Sequence, residues 1–480
     1  MLSGSQKSMQ LDAYMPWRRS AASFACGALL CLLASIQQCF AQAPPLDVPL
    51  NRPAARDPSA ITVEGWQLYP TLKTYSLWSD NLFLSPTAPL TGAGFGVTPS
   101  LAAVWSNGIH TTTLYGNLDR QVYPTQNEIN TLDGRAGFTQ RYEAMRDLIF
   151  TVNGDYNHKT WSTGLQSSIQ LPAAAPTTTV LPNGNTVLPN GTILSPSGQP
   201  IGQVNQPTGS FLPLVVNPND QYTGTFSVDK IFNRGVLSLG GAVIRTDYEN
   251  QTIVKNTASR TFTEHAGAWL GPLFYAYSDG SIGTVVTEAT STSTTSYRVI
   301  GGIGTRQFSL YRGSVYFGHQ GSQIDTTTGG PQNNTTAGGD VYGASISYYP
   351  ITQLTFVGTV DRTINISSQA SVTNLALTLP TFAGVQVPLT ASTRVTSASV
   401  GANYEITPQW FANALVGYTR INYIGSSRVD NSWVLDASLR YDIWRNMSLN
   451  WEYRCRSVLS NAPLISATSN YVTMGATYRF

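Results

Sequence analysis

Apolar and polar residues alternate in segments of about 10–15 residues that recur along most of this chain. Residues 447–456 show the pattern clearly, because the odd positions are Met, Leu, Trp, Tyr and Cys and the even positions are all polar or charged. Side chains of a β-strand point alternately to opposite faces, so a period of two predicts strands with one apolar and one polar face. Residues 129–143, 148–159 and 433–443 repeat the pattern. We therefore predict an all-β fold.

Short and long connections alternate between these segments. Short turn signals lie at 106–108, 144–147, 233–235, 311–313, 350–353, 407–409 and 445–446. Longer links rich in Gly, Ser, Thr and Asn lie around 79–93, 124–128, 161–220, 249–259, 279–295, 321–339, 366–391, 424–430 and 460–469. This asymmetry is typical of a transmembrane up-and-down antiparallel β-barrel with short periplasmic turns and long external loops. We predict about 18 strands, with 16 as the alternative count.

Charge content supports a membrane barrel over a soluble protein. Charged residues make up 11% of the chain, against roughly 25% in soluble proteins, and a barrel needs no charges on its lipid-facing side. The apolar sides of a soluble β-sandwich would instead pack against each other. Outside residues 1–41 the chain has 25 basic residues (28 minus Lys7, Arg18 and Arg19) and 25 acidic residues (26 minus Asp12). This balance argues against nucleic acid as a partner.

The first 60 residues are predicted to precede the barrel. Arg18 and Arg19 come before an apolar run at 21–33, and small residues near Ala41 provide a cleavage site, so residues 1–41 are predicted to be a signal peptide. A transmembrane anchor is the weaker alternative, because the run is shorter than the roughly 18 residues that such a helix needs. Residues 42–60 are Pro-rich and are predicted to form a periplasmic leader. The barrel is then predicted to occupy residues 61–480.

The last ten residues are predicted to form a strand that carries a membrane-insertion signal. Their alternate apolar positions are Val472, Met474, Ala476, Tyr478 and Phe480. An amphipathic final strand that ends on an aromatic residue resembles the insertion signal of bacterial outer-membrane barrels. The alternative is the edge strand of a soluble sheet, which proteins rarely leave uncovered because it invites pairing with other chains.

If the apolar faces contact lipid, the polar faces line the lumen. The predicted lumen-lining residues are Asp133, Arg135, Arg141, Glu143, Asp155, Lys159, Asp436, Arg440, Asp442, Glu452, Arg454 and Arg456. Acidic and basic side chains are equally numerous in this set, so strong selection by charge is not expected. The alternative interpretation is that these charges pair across strands and only stabilise the wall.

The long link at 161–220 is the strongest functional feature of the sequence. It contains the repeated units 180–184 and 187–191, each Val-Leu-Pro-Asn-Gly, which favour a small hairpin. By position it is the third external loop, the one that general porins fold into the pore as a constriction. Residues 162–219 contain no charged side chain, so a constriction made from them would select by size and hydrogen bonding. An external flap that makes surface contacts is the alternative.

No residue pattern favours catalysis, a metal site or a cofactor. The four histidines, His110, His158, His265 and His319, fall on different predicted strands, and no local pattern of nucleophile or acidic partner around them stands out from background. Cys455 is the single cysteine after residue 41, which does not fit a metal-binding cluster. We therefore predict that the protein is not an enzyme and holds no metal or cofactor.

Several short motifs resemble the β-barrel porin 2 family over about residues 66–480. These motifs are Asp-Asn-Leu-Phe at 80–83, Leu-Tyr-Gly-Asn at 114–117, Asp-Leu-Ile-Phe at 147–150, Arg-Thr-Asp-Tyr at 245–248, Ser-Tyr-Tyr-Pro at 347–350, Ser-Thr-Arg-Val-Thr at 392–396 and Ile-Trp-Arg-Asn at 443–446. The resemblance implies an outer-membrane barrel of Gram-negative bacteria. Some members of the family are linked to exopolysaccharide secretion, so the resemblance keeps that function open for this chain. The insertion at 161–220 is longer than the family leads us to expect.

Taken together, the sequence predicts an outer-membrane porin for polar solutes that are uncharged or weakly selected. Two alternatives stay open: a conduit for exopolysaccharide export, and a structural or adhesive barrel with a blocked lumen. The expected partners are outer-membrane lipid, lipopolysaccharide and the barrel-assembly machinery. Export would add a periplasmic polysaccharide-export partner.

Overall fold

The computed structural model describes the chain from residue 60 onward, with gaps. The described residues are 60–86, 89–125, 127–163, 168–169, 179–180, 186–187, 192–194, 200–203, 214–249, 251, 256–288, 292–306, 310–326, 335–351, 353–367, 393–424, 426–462 and 465–480. The predicted signal peptide at 1–41 lies outside the described residues, as does the leader at 42–60 except for Ala60.

Eighteen long antiparallel strands form one closed sheet, which confirms the predicted barrel and strand count. The strands are β1 (Trp66–Ser79), β2 (Gly92–Ser106), β3 (His110–Val122), β4 (Thr131–Met145), β5 (Leu148–Thr163), β6 (Leu214–Phe232), β7 (Gly235–Tyr248), β8 (Thr257–Trp269), β9 (Phe274–Thr287), β10 (Thr292–Thr305), β11 (Tyr311–Thr326), β12 (Thr335–Ile351), β13 (Leu354–Ser367), β14 (Thr393–Thr407), β15 (Trp410–Tyr423), β16 (Val429–Trp444), β17 (Met447–Ser460) and β18 (Ala467–Arg479). Each strand pairs with its sequence neighbours, and β18 pairs with β1 from Thr71↔Arg479 to Ser79↔Tyr471. This last pairing closes the barrel and leaves no edge strand.

Short and long connections alternate around the barrel as predicted. The short turns are 107–109, 146–147, 233–234, 270–273, 306–310, 352–353, 408–409 and 445–446, and they define the short-turn end. The opposite, long-loop end carries the connections 80–91, 123–130, 164–213, 249–256, 288–291, 327–334, 368–392, 424–428 and 461–466. The turn at 146–147 is held by Lys230, whose ammonium group donates to Asp147 and keeps the pKa of that carboxyl below its usual range.

Two connections were predicted at the wrong place. The turn predicted at 311–313 lies at 306–310, because Arg312 and Gly313 already pair with Ser347 and Ile346 of β12. The long link predicted at 279–295 is only 288–291, and the turn at 270–273 was missed. The run from Ser278 to Gly283 has the composition of a loop, but it lies inside β9, where its backbone pairs with β8 and β10.

The two faces of the wall differ as the alternation predicts. Large apolar side chains project from the outer face and are highly exposed in the isolated chain, such as Phe95 at 63% and Phe317 at 62%. Aromatic rings gather near the ends of this face. At the short-turn end they form three stacks, His110–Tyr142–Phe150, Tyr311–Tyr348–Phe356 and Trp410–Tyr441–Trp451. Toward the long-loop end, Tyr156 packs on Tyr222 and Tyr418 on Trp433. Such girdles mark the two lipid–water interfaces of a membrane barrel.

Short strands within the longest loop form two kinds of backbone pairing. Thr179–Val180 pairs with Thr186–Val187, which confirms the predicted hairpin, and strands at 192–194 and 200–203 extend it to four strands. Separately, Ser168–Ile169 pairs with Ile366 and Ser367 at the long-loop end of β13. Because β13 stands eight positions from β5 in the 18-stranded ring, one segment of the loop reaches the opposite side of the mouth.

Candidate functional site: the barrel interior

The first group of predicted lumen residues lies on the polar face of β4 and β5. Arg135 Nε contacts Asp155 Oδ2 at 2.7 Å, and Arg141 Nη1 contacts Glu143 Oε1 at 2.9 Å. Asp133 accepts a hydrogen bond of 2.8 Å from the backbone N–H of Thr160. Lys159 occupies the same face and is opposite Asn219 of β6. Both arginines of this group are therefore bound to carboxylates.

The second group lies on the polar face of β16 and β17. Arg454 is bound to two carboxylates, Asp436 at 2.6 Å and Glu452 at 3.1 Å. Arg440 pairs with Asp442 at 3.1 Å, and its guanidinium lies 4.2 Å from the centre of the Phe411 ring. In the strand register, Arg456 is opposite Val434 of β16 on one side and Ser469 of β18 on the other. Two of these pairs each lie along one strand and the Arg454–Asp436 pair crosses strands, so most charges in this group also neutralise one another.

Tyrosines on the same face make a contact that sequence reasoning missed. Tyr75 of β1 lies over Gly96 of β2 and donates to Asp119 of β3 at 2.8 Å. Tyr115, Gly137 and Asp155 repeat this arrangement on β3, β4 and β5, with a hydrogen bond of 2.6 Å, and Tyr316, Gly343 and Asp361 repeat it on β11, β12 and β13. In each case a side chain on the glycine would collide with the ring. Each of these tyrosine–aspartate hydrogen bonds therefore connects two strands of the wall across the strand between them.

Three of the four histidines have an aspartate on the neighbouring strand. His265 of β8 contacts Asp279 of β9 on the inner face. His158 contacts Asp220 at 2.8 Å and His319 contacts Asp340 at 3.3 Å, both on the outer face near the long-loop end. The aspartate lies 14 residues from His265, 62 from His158 and 21 from His319 in sequence, so no local pattern could have revealed these pairs.

Aromatic rings line the inner face of β8 and β9 at the short-turn end. The ring centres of Trp269 and Tyr275 are 5.1 Å apart, and those of Tyr275 and Tyr277 are 5.8 Å apart. Tyr277 and Tyr316 both pack against a buried cluster of Ile300, Val341 and Ile364. These contacts join four rings along one continuous part of the wall. We call them the aromatic track: Trp269, Tyr275, Tyr277 and Tyr316.

The predicted insertion signal lies on the outer face of β18. Val472, Met474, Tyr478 and Phe480 are all exposed in the isolated chain, and the Phe480 ring packs edge-on against Tyr478 at 4.8 Å. Ala476 shares this face by its position in the strand. The role of these residues in assembly stays a prediction.

A charged residue at position 480 should impair assembly. We expect Phe480→Asp to lower the yield of folded barrel several-fold, because a carboxylate would replace an apolar ring on the lipid-facing side. Heat-modifiable migration of membrane fractions on gels measures this yield. Arg479→Gln, which changes the neighbouring residue on the other face, serves as the control. An unchanged yield for Phe480→Asp would remove the support for an insertion signal.

In the part of the chain that the structure describes, no α-helix is long and apolar enough to cross a membrane. Across the same residues, no three His, Cys, Asp or Glu side chains come together as metal ligands would.

A closed barrel of 18 antiparallel strands with an apolar outer face, aromatic girdles and a polar interior has the architecture of outer-membrane channels. Residues 199–480 match the profile of the family described as "Putative beta-barrel porin 2", and the chain belongs to this family. The motifs at 80–83, 114–117 and 147–150 lie upstream of the matched range. Membership in a porin family favours a channel over an enzyme. No significant relative was found among curated protein sequences.

Several solved outer-membrane proteins are similar over most of the chain. OpdL from Pseudomonas aeruginosa has 12% sequence identity and a TM-score of 0.42, covering 87% of this chain and 99% of its own. OccK2 (OpdF) from the same organism has 8% identity and a TM-score of 0.44, covering 87% and 98%. A BenF-like porin from Pseudomonas fluorescens Pf-5 has 10% identity and a TM-score of 0.43, covering 87% and 100%. Similarity at this level carries no information about the solute.

Proposed function

We propose that the protein is an outer-membrane diffusion channel for small polar solutes, with little selection by charge. The observation that carries this proposal is the pairing of charges on the inner wall. Arg135, Arg141, Arg440 and Arg454 each contact at least one carboxylate. Where wall charges are locally neutralised in this way, they create no extended field of one sign, and such a field is what sorts anions from cations.

The longest loop supports selection by size. Its backbone at Ser168–Ile169 pairs with β13 on the far side of the ring, and residues 162–219 carry no charge. We propose that this loop narrows the external mouth. Uncharged amide, hydroxyl and backbone groups would then contact the solute by hydrogen bonding, without favouring either sign of charge.

Removing the loop should raise the size limit for solutes. Proteoliposomes that contain the full chain should swell rapidly in glucose and slowly in raffinose. A variant that lacks residues 165–213 should swell at similar rates in both sugars. Gluconate should enter about as fast as glucose, to within roughly threefold, because the wall has no net preference for charge.

Two outcomes would contradict this proposal. Strong preference for gluconate or for a cationic solute of the same size would overturn weak charge selection. An unchanged size limit in the loop deletion would overturn the constriction. Heat-modifiable migration of both proteins confirms that each barrel is folded before swelling is compared.

Export of polysaccharide is a second candidate function, because the aromatic track offers a surface suited to sugars. This function would need a periplasmic partner to supply the chain. It predicts that the purified barrel alone admits small sugars poorly, and the swelling experiment separates the two functions.

A further inference from the structure

The aromatic track presents ring faces to the barrel interior. Tyr275 and Tyr277 of β9 lie over Gly304 and Gly302 of β10, respectively. Tyr316 of β11 lies over Gly343 of β12. Since a side chain at any of these glycines would overlap the ring, each ring lies flat along the wall with one face packed against backbone. All three side chains keep part of their surface exposed, while Tyr277 and Tyr316 also pack against the buried cluster of Ile300, Val341 and Ile364.

The rings follow one another at nearly even distances from the short-turn end inward. Trp269 begins the series and meets Tyr275 edge-on, with ring centres 5.1 Å apart at 64°, and Tyr277 lies a further 5.8 Å along at 34° to Tyr275. The guanidinium of Arg306 covers one side of Trp269 at 4.0 Å from the ring centre. The spacing is about that of successive rings in a sugar chain, so a linear oligosaccharide could contact several members at once.

Polar groups with unused hydrogen-bonding capacity flank the track. Asp279 is only 6% exposed and contacts His265 through Oδ1, while its Oδ2 has no hydrogen-bond partner in the part of the chain that the structure describes. Arg298 is only 3% exposed and lies 5.3 Å from the Tyr316 ring centre. Its Nε, Nη1 and Nη2 likewise have no hydrogen-bond partner among the described residues. Buried polar groups of this kind require a partner, because leaving them unsatisfied is costly.

We propose that the aromatic track and its two flanking charges form a carbohydrate-binding site on the lumen wall. A sugar ring has an apolar face of C–H groups and an edge of hydroxyls. The electron-rich faces of Trp and Tyr attract the C–H face. Asp279 can accept a hydrogen bond from a sugar hydroxyl and Arg298 can donate one to it. This proposal deepens the function proposed above and rests on it, because it assigns carbohydrate as the solute class.

A packing role alone does not account for the arrangement. Tyr75 and Tyr115 also lie over glycines, and each donates to an aspartate two strands away, as Tyr316 of the track does. What distinguishes the track is the succession of Trp269, Tyr275 and Tyr277 beside Asp279 and Arg298. Tyr115 thus provides a matched control, since it has the same residue type and the same support by glycine on another part of the wall.

The test is the binding of maltohexaose to the folded, detergent-solubilised full chain, measured by isothermal titration calorimetry. Polyethylene glycol of similar hydrodynamic size is the steric control. We expect measurable binding of maltohexaose and none of the polymer. Tyr277→Ala should weaken binding about tenfold, from loss of stacking on one ring. Tyr277→Phe should retain most of the affinity, and Tyr115→Ala should leave it unchanged.

Each other outcome overturns the proposal. Equal heats for maltohexaose and the polymer would exclude a carbohydrate site. Equal weakening by Tyr277→Ala and Tyr115→Ala, with both barrels heat-modifiable, would exclude the track as its location. Calorimetry measures binding without ion flow, so the binding site and the channel are tested separately. If the protein conducts ions but does not bind the sugar, only the proposed binding site is overturned. If the protein binds the sugar but lets no solute through, only the proposed channel function is overturned.

Discussion

Replacing Arg428 by Met should lower the free energy of unfolding by about 3–5 kcal/mol, the cost of breaking a buried ion pair by removing one partner. Arg428 makes two bonds to Asp430, at 3.0 Å and 2.6 Å, and the side chains are only 5% and 1% exposed. Tyr423 and Ser460 also donate to Asp430. The substitution would leave a buried carboxylate without its counter-charge at the long-loop end of β16.

Arg245→Met is the matched control for this experiment. Arg245 and Asp247 have the same spacing of two residues and also lie near the long-loop end, but their side chains are 51% and 33% exposed. Exposed pairs contribute little, so we expect a change below about 1 kcal/mol. Urea unfolding in lipid vesicles, followed by tryptophan fluorescence, measures both variants. Equal effects would show that burial of the Arg428 pair does not govern the stability of this end.

Replacing Leu435 by Arg should destabilise the barrel in lipid by about 2–4 kcal/mol, which is the cost of a basic side chain on the lipid-facing side near the bilayer midplane. Leu435 is exposed on the outer face near the middle of β16. The arginine would have to remove its charge from water or distort the bilayer to reach the interface.

Ser438→Arg tests the other face of the same strand. Ser438 is opposite Glu452 of β17 on the inner face, so an arginine there would gain a carboxylate neighbour and water. We expect its free energy of unfolding to stay within about 1 kcal/mol of the parent. The same unfolding assay in vesicles compares the two variants. A larger loss for Ser438→Arg than for Leu435→Arg would reverse the assignment of inner and outer faces.

Alternation was sufficient to predict the wall of the barrel, because a period of two determines which side chains share a face. Residues 447–456 have this period without interruption, and the strand Met447–Ser460 that contains them has bounds close to those predicted. Phe274–Thr287 was not recognised because its centre, from Ser278 to Gly283, is rich in small and polar residues and contains Gly280 and Gly283. Its identity as a strand comes from pairing with β8 and β10.

The interior was harder to predict than the wall. The ion pair of Arg135 with Asp155 and the hydrogen bond of Tyr115 with that same aspartate require the register of three strands. A single sequence gives the face of each residue but not its height along the barrel axis. For this reason the aromatic track and the partners of the histidines emerged only with the strand registers.

If the lumen conducts, single-channel recording of the purified full chain in planar bilayers should detect it. We predict stepwise conductance that is nearly ohmic, with a reversal potential close to zero in a salt gradient because the wall selects weakly by charge. Absence of any conductance from heat-modifiable, correctly folded protein would contradict the channel and favour a blocked barrel or an export conduit that opens only with its partner.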